Sequence, residues 1–122
     1  MTIWIDNQGD CPIYEQIVRQ LREQILAGAL PAGEALPSIR GLAKDLRVSV
    51  ITTKRAYEEL ESEGWIFTLP GKGSFVAETR HEQQMETMLA EIREHLRQAR
   101  RLAAVCGIGE RELLTLWEEE QK

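Results

Sequence analysis

From residue 13 the apolar positions fall three and four apart. Ile13, Ile17, Leu21 and Ile25, with Tyr14 and Val18 beside them, form one stripe, and Glu15, Arg19, Arg22 and Glu23 form the wet face of the helix this predicts. Pro12 suits its first turn and Gly28 its end. Residues 30–37, LPAGEALP, hold two prolines and a glycine and read as a loop that Leu30 and Leu36 pin to the core. Ser38 is an N-cap for a second helix through Leu46, whose buried positions are Ile39, Leu42, Ala43 and Leu46. Gly41 within it costs about 1 kcal/mol relative to alanine and reads as a weak spot more readily than as a close approach. Arg47-Val48-Ser49 forms a turn. Ser49 then caps a third helix from Val50 to about Glu63, closed by Gly64, which buries Ala56, Tyr57 and Leu60 and is anchored by Thr53. Two short runs, Trp65 to Leu69 and Ser74 to Glu78, flank Pro70-Gly71-Lys72-Gly73 as strand, turn and strand. Ahead of everything, Ile3-Trp4-Ile5 is an edge strand or a packed arm, followed by turn residues 6–10.

Beyond Thr79 the pattern changes. Met85, Leu89, Ile92, Leu96, Ala99, Ala103 and Cys106 step alternately by four and three, a heptad seam that Met88 and Leu102 widen. A helix from about Arg80 to Val105 would be roughly 39 Å long at 1.5 Å per residue. Gly107-Ile108-Gly109 breaks it, and a last helix runs from Glu110 to about Glu120 with Ile108, Leu113, Leu114, Leu116 and Trp117 as its apolar set. Two helices cannot bury such faces alone. Folding back on the first domain is one solution; a dimer is the favoured one, through Met85, Leu89, Ile92, Leu96, Ala99, Ala103, Leu113 and Trp117.

Two helices, a tight turn and a hairpin, in that order, make a winged helix-turn-helix, whose second helix fits the major groove of double-stranded DNA. The expected class is α+β, mostly α: a winged domain over residues 1–78 followed by a two-helix dimerisation module over 79–122. Charge supports this locally. The 122-residue chain carries a net charge of −5, yet Arg40, Lys44, Arg47, Lys54 and Arg55 face a single acid, Asp45, between residues 40 and 55. Phosphate attraction is local, so the stripe says more than the total. The opposite face of the third helix opens with Val50, Ile51, Thr52, Lys54 and Arg55. Val50 and Ile51 either meet thymine methyls in a groove or form part of the core. At the hairpin tip the glycines either merely supply positive φ or let the backbone approach DNA while Lys72 reaches a phosphate or the minor groove.

Other chemistries find little support. Cys11 and Cys106 are too few for a disulfide framework or a zinc site and read as free thiols, with Cys106 packed in a helical core. His81 and His95 are lone histidines on a solvated helix. There is no serine elbow, glycine-rich nucleotide loop or HExxH, so neither an enzyme nor a metal or cofactor is expected. Met1 to Asp6 lack a signal peptide's basic start, and no apolar run approaches the roughly 20 residues that span a bilayer. A cytoplasmic, soluble protein is expected.

The chain resembles the GntR family of bacterial transcription regulators, most of all its short YtrA-type branch, in which the effector domain is reduced to a pair of helices. The residues that carry the resemblance are PIYEQI (12–17), LPxG (30–33), LPSIR (36–40), LA (42–43), VS (48–49), RAY (55–57), LE (60–61), EG (63–64) and GKGxFV (71–76). The GIGERELL stretch of the tail (107–114) matches more loosely. The resemblance implies that Arg40 contacts DNA, that Ser49 and Thr52 touch phosphate or base edges, that Lys54 reads the operator, and that Gly71-Lys72 form the wing tip. Two departures stand out: Val50 replaces an arginine that many relatives carry, and Gly41 replaces a frequent glutamate, removing a reciprocal capping partner for Ser38. The expected DNA-facing set is Ser38, Arg40, Ser49, Val50, Ile51, Thr52, Lys54, Arg55, Gly71, Lys72 and Gly73. The function implied is a homodimeric repressor on a palindromic operator, with a winged-helix module that meets only other proteins as the alternative, which the acidic total charge favours slightly. A two-helix tail encloses little volume, so either no small-molecule effector or one at the dimer interface is expected.

Overall fold

The computed structural model describes residues 1–78 and 81–121, and the side chains of all of these except 81 and 82. The expected junction at 78–79 and tail start at Arg80 touch residues outside that set, as does the side chain of His81. The chain divides into two compact units, Met1–Thr79 and Arg80–Lys122.

In the first unit, α1 (Ile13–Leu26), α2 (Ile39–Leu46) and α3 (Val50–Ser62) precede an antiparallel hairpin of β1 (Ile66–Leu69) and β2 (Gly73–Val76). The stripe of α1 meets α3 in a core of Ile17, Val18, Leu21, Ile25, Leu42, Ala56, Tyr57 and Leu60, closed by Trp65, Ile66 and Val76. Gly64, at φ +82°, lets the chain reverse after α3, and Trp65 N then donates to Leu60 O at 2.9 Å. That reversal plants the Trp65 ring in the core.

The first strand starts one residue later than its apolar run suggested, and the second starts one residue earlier and ends two earlier. Gly73 is not a tip residue; it opens β2, opposite Leu69. Lys72 N donates to Leu69 O at 2.9 Å, and Gly71 at φ +77° takes the position of the turn that requires glycine. Phe67 and Phe75 stack across the hairpin with centroids 5.6 Å apart. The loop before α2 also joins this sheet: Leu36 N donates to Ser74 O and Val76 N to Glu34 O, each at 2.9 Å.

Residues 3–5 form a packed arm, not a strand. Ile3 and Ile5 turn to the core, and glutamines of α1 hold the backbone between them. Trp4 N donates to Gln20 Oε1 at 2.8 Å and Gln20 Nε2 returns a bond to Trp4 O at 2.6 Å. Gln24 Nε2 reaches Thr2 O at 2.7 Å. Arg22, expected on the wet face of α1, is 8% exposed and pairs with Glu63 at 3.5 Å. A residue 41 positions away in sequence supplies its counter-charge, which no periodicity on α1 can reveal.

The second unit holds α4 (His81–Cys106) and α5 (Glu110–Glu119). The chain turns between them as Ile108 N bonds back to Ala103 O at 2.8 Å. Of the seam, Met85, Leu89, Ile92 and Leu96 are exposed while Ala103 is buried. Cys106 is exposed as well, contrary to its expected place in a core: it is the last residue of α4, where the chain turns away at Gly107 (φ +76°). On α5, Leu113 is half-buried and Leu114, Leu116 and Trp117 are exposed.

Candidate nucleic-acid interface

The candidate interface centres on the turn between α2 and α3. Ser38 Oγ accepts from Gly41 N at 2.9 Å and caps α2. A Cβ added at Gly41 would stand 2.9 Å from that same oxygen. The glycine therefore spares the capping hydroxyl a close contact, which its reading as a mere weak spot left out. Arg40 follows on the exposed side of the first turn.

Arg47 ends α2 at φ 58° and ψ 44°, the left-handed region, with Val48 N donating to Ala43 O at 3.0 Å. The turn leaves Arg47 exposed and Val48 packed against the core. Ser49 then caps α3: its Oγ accepts from Thr52 N at 3.0 Å and pairs with Thr52 Oγ1 at 2.7 Å. Thr53 Oγ1 donates to Ser49 O at 3.1 Å, which ties the buried face to the cap. Ser49 and Thr52 are thus committed to each other at the helix start.

At 100° per residue, the buried positions Thr53, Ala56, Tyr57 and Leu60 lie on one side of α3 and Ile51, Lys54, Arg55 and Glu58 on the other. Ile51 is 81% exposed and Val50 39% exposed, so neither belongs to the core. Lys54 lies 3.9 Å from Glu58 at a solvated site, a pairing worth little. Arg55 is held toward α1, its guanidinium 3.8 Å from the centroid of the Tyr14 ring. That contact could not be read from helix spacing, because it needs the packing of α1 on α3. The second half of the helix is acidic, with Glu58, Glu59 and Glu61, so only its first two turns offer a phosphate backbone a favourable potential.

Gly71 and Lys72 stand exposed at the hairpin tip. The wing and the turn are thereby both cationic and both built from backbone that the core fixes. Among the described residues, no group of three or more histidines, cysteines or carboxylates is placed to hold a metal ion. Cys11 is half-buried, with Arg19 Nη2 2.9 Å from its Sγ; burial pushes the thiol above its ordinary range. Among the described residues, no helix is long and apolar enough to cross a membrane.

A mostly helical winged helix-turn-helix with a short hairpin and a following pair of helices defines a class, and the comparisons narrow it. Residues 13–76 match the bacterial regulatory proteins of the gntR family. The chain is 39% identical over 118 residues to the HTH-type transcriptional repressor YtrA of Bacillus subtilis, a match covering 97% of this chain and 90% of that one. It is 38% identical to the HTH-type transcriptional repressor NagR of the same organism over 67% of this chain, but spans only 34% of NagR's length. Among solved structures, a transcriptional antiterminator from Listeria monocytogenes superposes with a TM-score of 0.79 at 34% identity, covering 100% of this chain and 91% of the other. AraR(DBD) in complex with operator ORR3 superposes with a TM-score of 0.54 at 25% identity, covering 63% of this chain and 93% of that one. The chain belongs to the GntR family. Its likeness to YtrA across nearly the whole of both chains puts it with that family's short members.

Proposed function

We propose that this protein represses transcription as a homodimer, each winged unit placing the start of α3 in the major groove of one half of a near-palindromic operator. That it is a DNA-binding transcriptional regulator follows from the family and from relatives seen on operator DNA; the alternative of a winged helix that meets only proteins is not favoured. One observation carries the site: a helix start capped by Ser49 and braced by Thr52, whose outer face is exposed and free of acids for two turns, with the exposed cations Arg40, Arg47 and Lys54 close by in sequence. Affinity would come mainly from phosphates, with bases read by a few side chains. Arg40, Lys54 and Lys72 are the proposed DNA-facing cations, and Ser49 and Thr52 orient the helix. The relatives are regulators, and the proposed role needs no catalysis, metal or membrane.

The dimer reading rests on the apolar residues left exposed on α4 and α5. A second copy would cover them and set the spacing of the half-sites. An enclosed effector pocket is not required by any of this.

Selection from a random DNA pool followed by a mobility shift tests the proposal. Enrichment of a two-fold symmetric sequence, bound as one dimer, is expected. Failure to enrich any sequence, or enrichment of a single half-site bound by one chain, would overturn it.

A further inference from the structure

We infer that Ile51 is a specificity-determining residue that recognises the 5-methyl group of thymine. The inference rests on the proposed DNA binding and adds which base the helix start prefers. Isoleucine is among the residues most often buried, yet Ile51 is 81% exposed. It sits at the centre of the outer face of α3, directly across from Thr53 and Leu60. Val50, 39% exposed, extends the apolar surface to one side.

The neighbourhood decides what covers this surface. Residues 50–57 contain no acid, and Arg40, Lys44, Arg47 and Lys54 are all exposed nearby in sequence against Asp45 alone. An apolar spot in a cationic surround suits a polyanion that carries apolar groups. In the major groove of DNA the base edge that offers one is thymine, through its methyl. Ile51 has no donor or acceptor, so pressing it onto guanine O6 or cytosine N4 would desolvate those groups without a partner. The residue would therefore favour thymine and also penalise a G·C pair at the same position.

Thymine and uracil differ only by that methyl and present the same hydrogen-bonding edge. The full-length protein should be titrated against its selected operator with uracil replacing thymine, one position at a time. Loss of one buried methyl should weaken wild-type binding about fourfold at one position in each half-site. Ile51→Ser should bind the unmodified operator more weakly by a similar factor and should be indifferent to uracil there. Wild-type protein indifferent at every position would overturn the inference with no variant needed. So would an Ile51→Ser protein that remains as sensitive to uracil as wild type. A pool that enriches no sequence at all would instead take down the DNA-binding reading, and this inference with it.

Discussion

Tyr57 shows how one residue couples the core to the interface. Its hydroxyl donates to Pro37 O at 2.8 Å, one residue before the Ser38 cap, and burial pushes its pKa up to about 12. An unfolded tyrosine titrates near 10, so above that pH the unfolded chain loses a proton that the folded chain keeps. Stability should be level with respect to this group below about pH 10 and fall between roughly 10 and 12, by at most about 1.4 kcal/mol per pH unit. Tyr57→Phe should cost about 1 kcal/mol at neutral pH and flatten that alkaline decline, both readable from chemical denaturation. Burial of Tyr57 was legible from its place in the 3.6-residue pattern. Its hydrogen bond was not, nor were the Arg22–Glu63 pair and the stacking of Arg55 on Tyr14, since each joins residues that only tertiary packing brings together. Arg40→Ala and Lys54→Ala should leave the melting temperature unchanged, because both side chains are solvated. Each should weaken operator binding by about 1–3 kcal/mol if it reads a base edge. A collapsed melting temperature with intact affinity per folded molecule would make these residues structural.

At the scale of elements, the helix-turn-helix is held by its two caps and by a strained turn. Ser49→Ala should cost about 1 kcal/mol by releasing the first turn of α3. Arg47 occupies a backbone region that costs most residues about 1 kcal/mol or more. Arg47→Asn, which tolerates that region better, should raise stability by about 0.5 kcal/mol in thermal melts while removing one exposed charge. A loss of stability instead would mean the Arg47 side chain contributes to the fold. Helix positions were legible to within a residue because caps, glycines and apolar stripes agree there. The sheet was less so. Residues 33–36 bond to β2 through backbone groups alone, and a proline-rich loop carries no alternating pattern to announce it. The arm was ambiguous for a similar reason: its partners are the glutamines of α1, spaced four apart, a signal visible in the sequence but easily taken for solvated surface.

At the scale of the whole molecule, the winged unit closes its own core, whereas α4 and α5 leave Ile92, Leu96, Leu102 and Trp117 exposed. Charges placed on that surface, as in Ile92→Glu with Leu96→Glu, should turn a dimer into a monomer by light scattering without unfolding the winged unit. A variant that stays dimeric would move the contact elsewhere. Sequence alone exposed the seam but could not tell which members face outward: Ala103 turned out buried and Cys106 exposed. Because the chain as a whole is acidic, binding through a small cationic surface should show as a steep dependence of affinity on salt. If each half-site engages about four phosphates, affinity of the full-length protein for its selected operator should fall with a log–log slope on the order of −7. A slope near zero would mean that phosphates do not hold the complex and that the cationic surface is not where DNA binds.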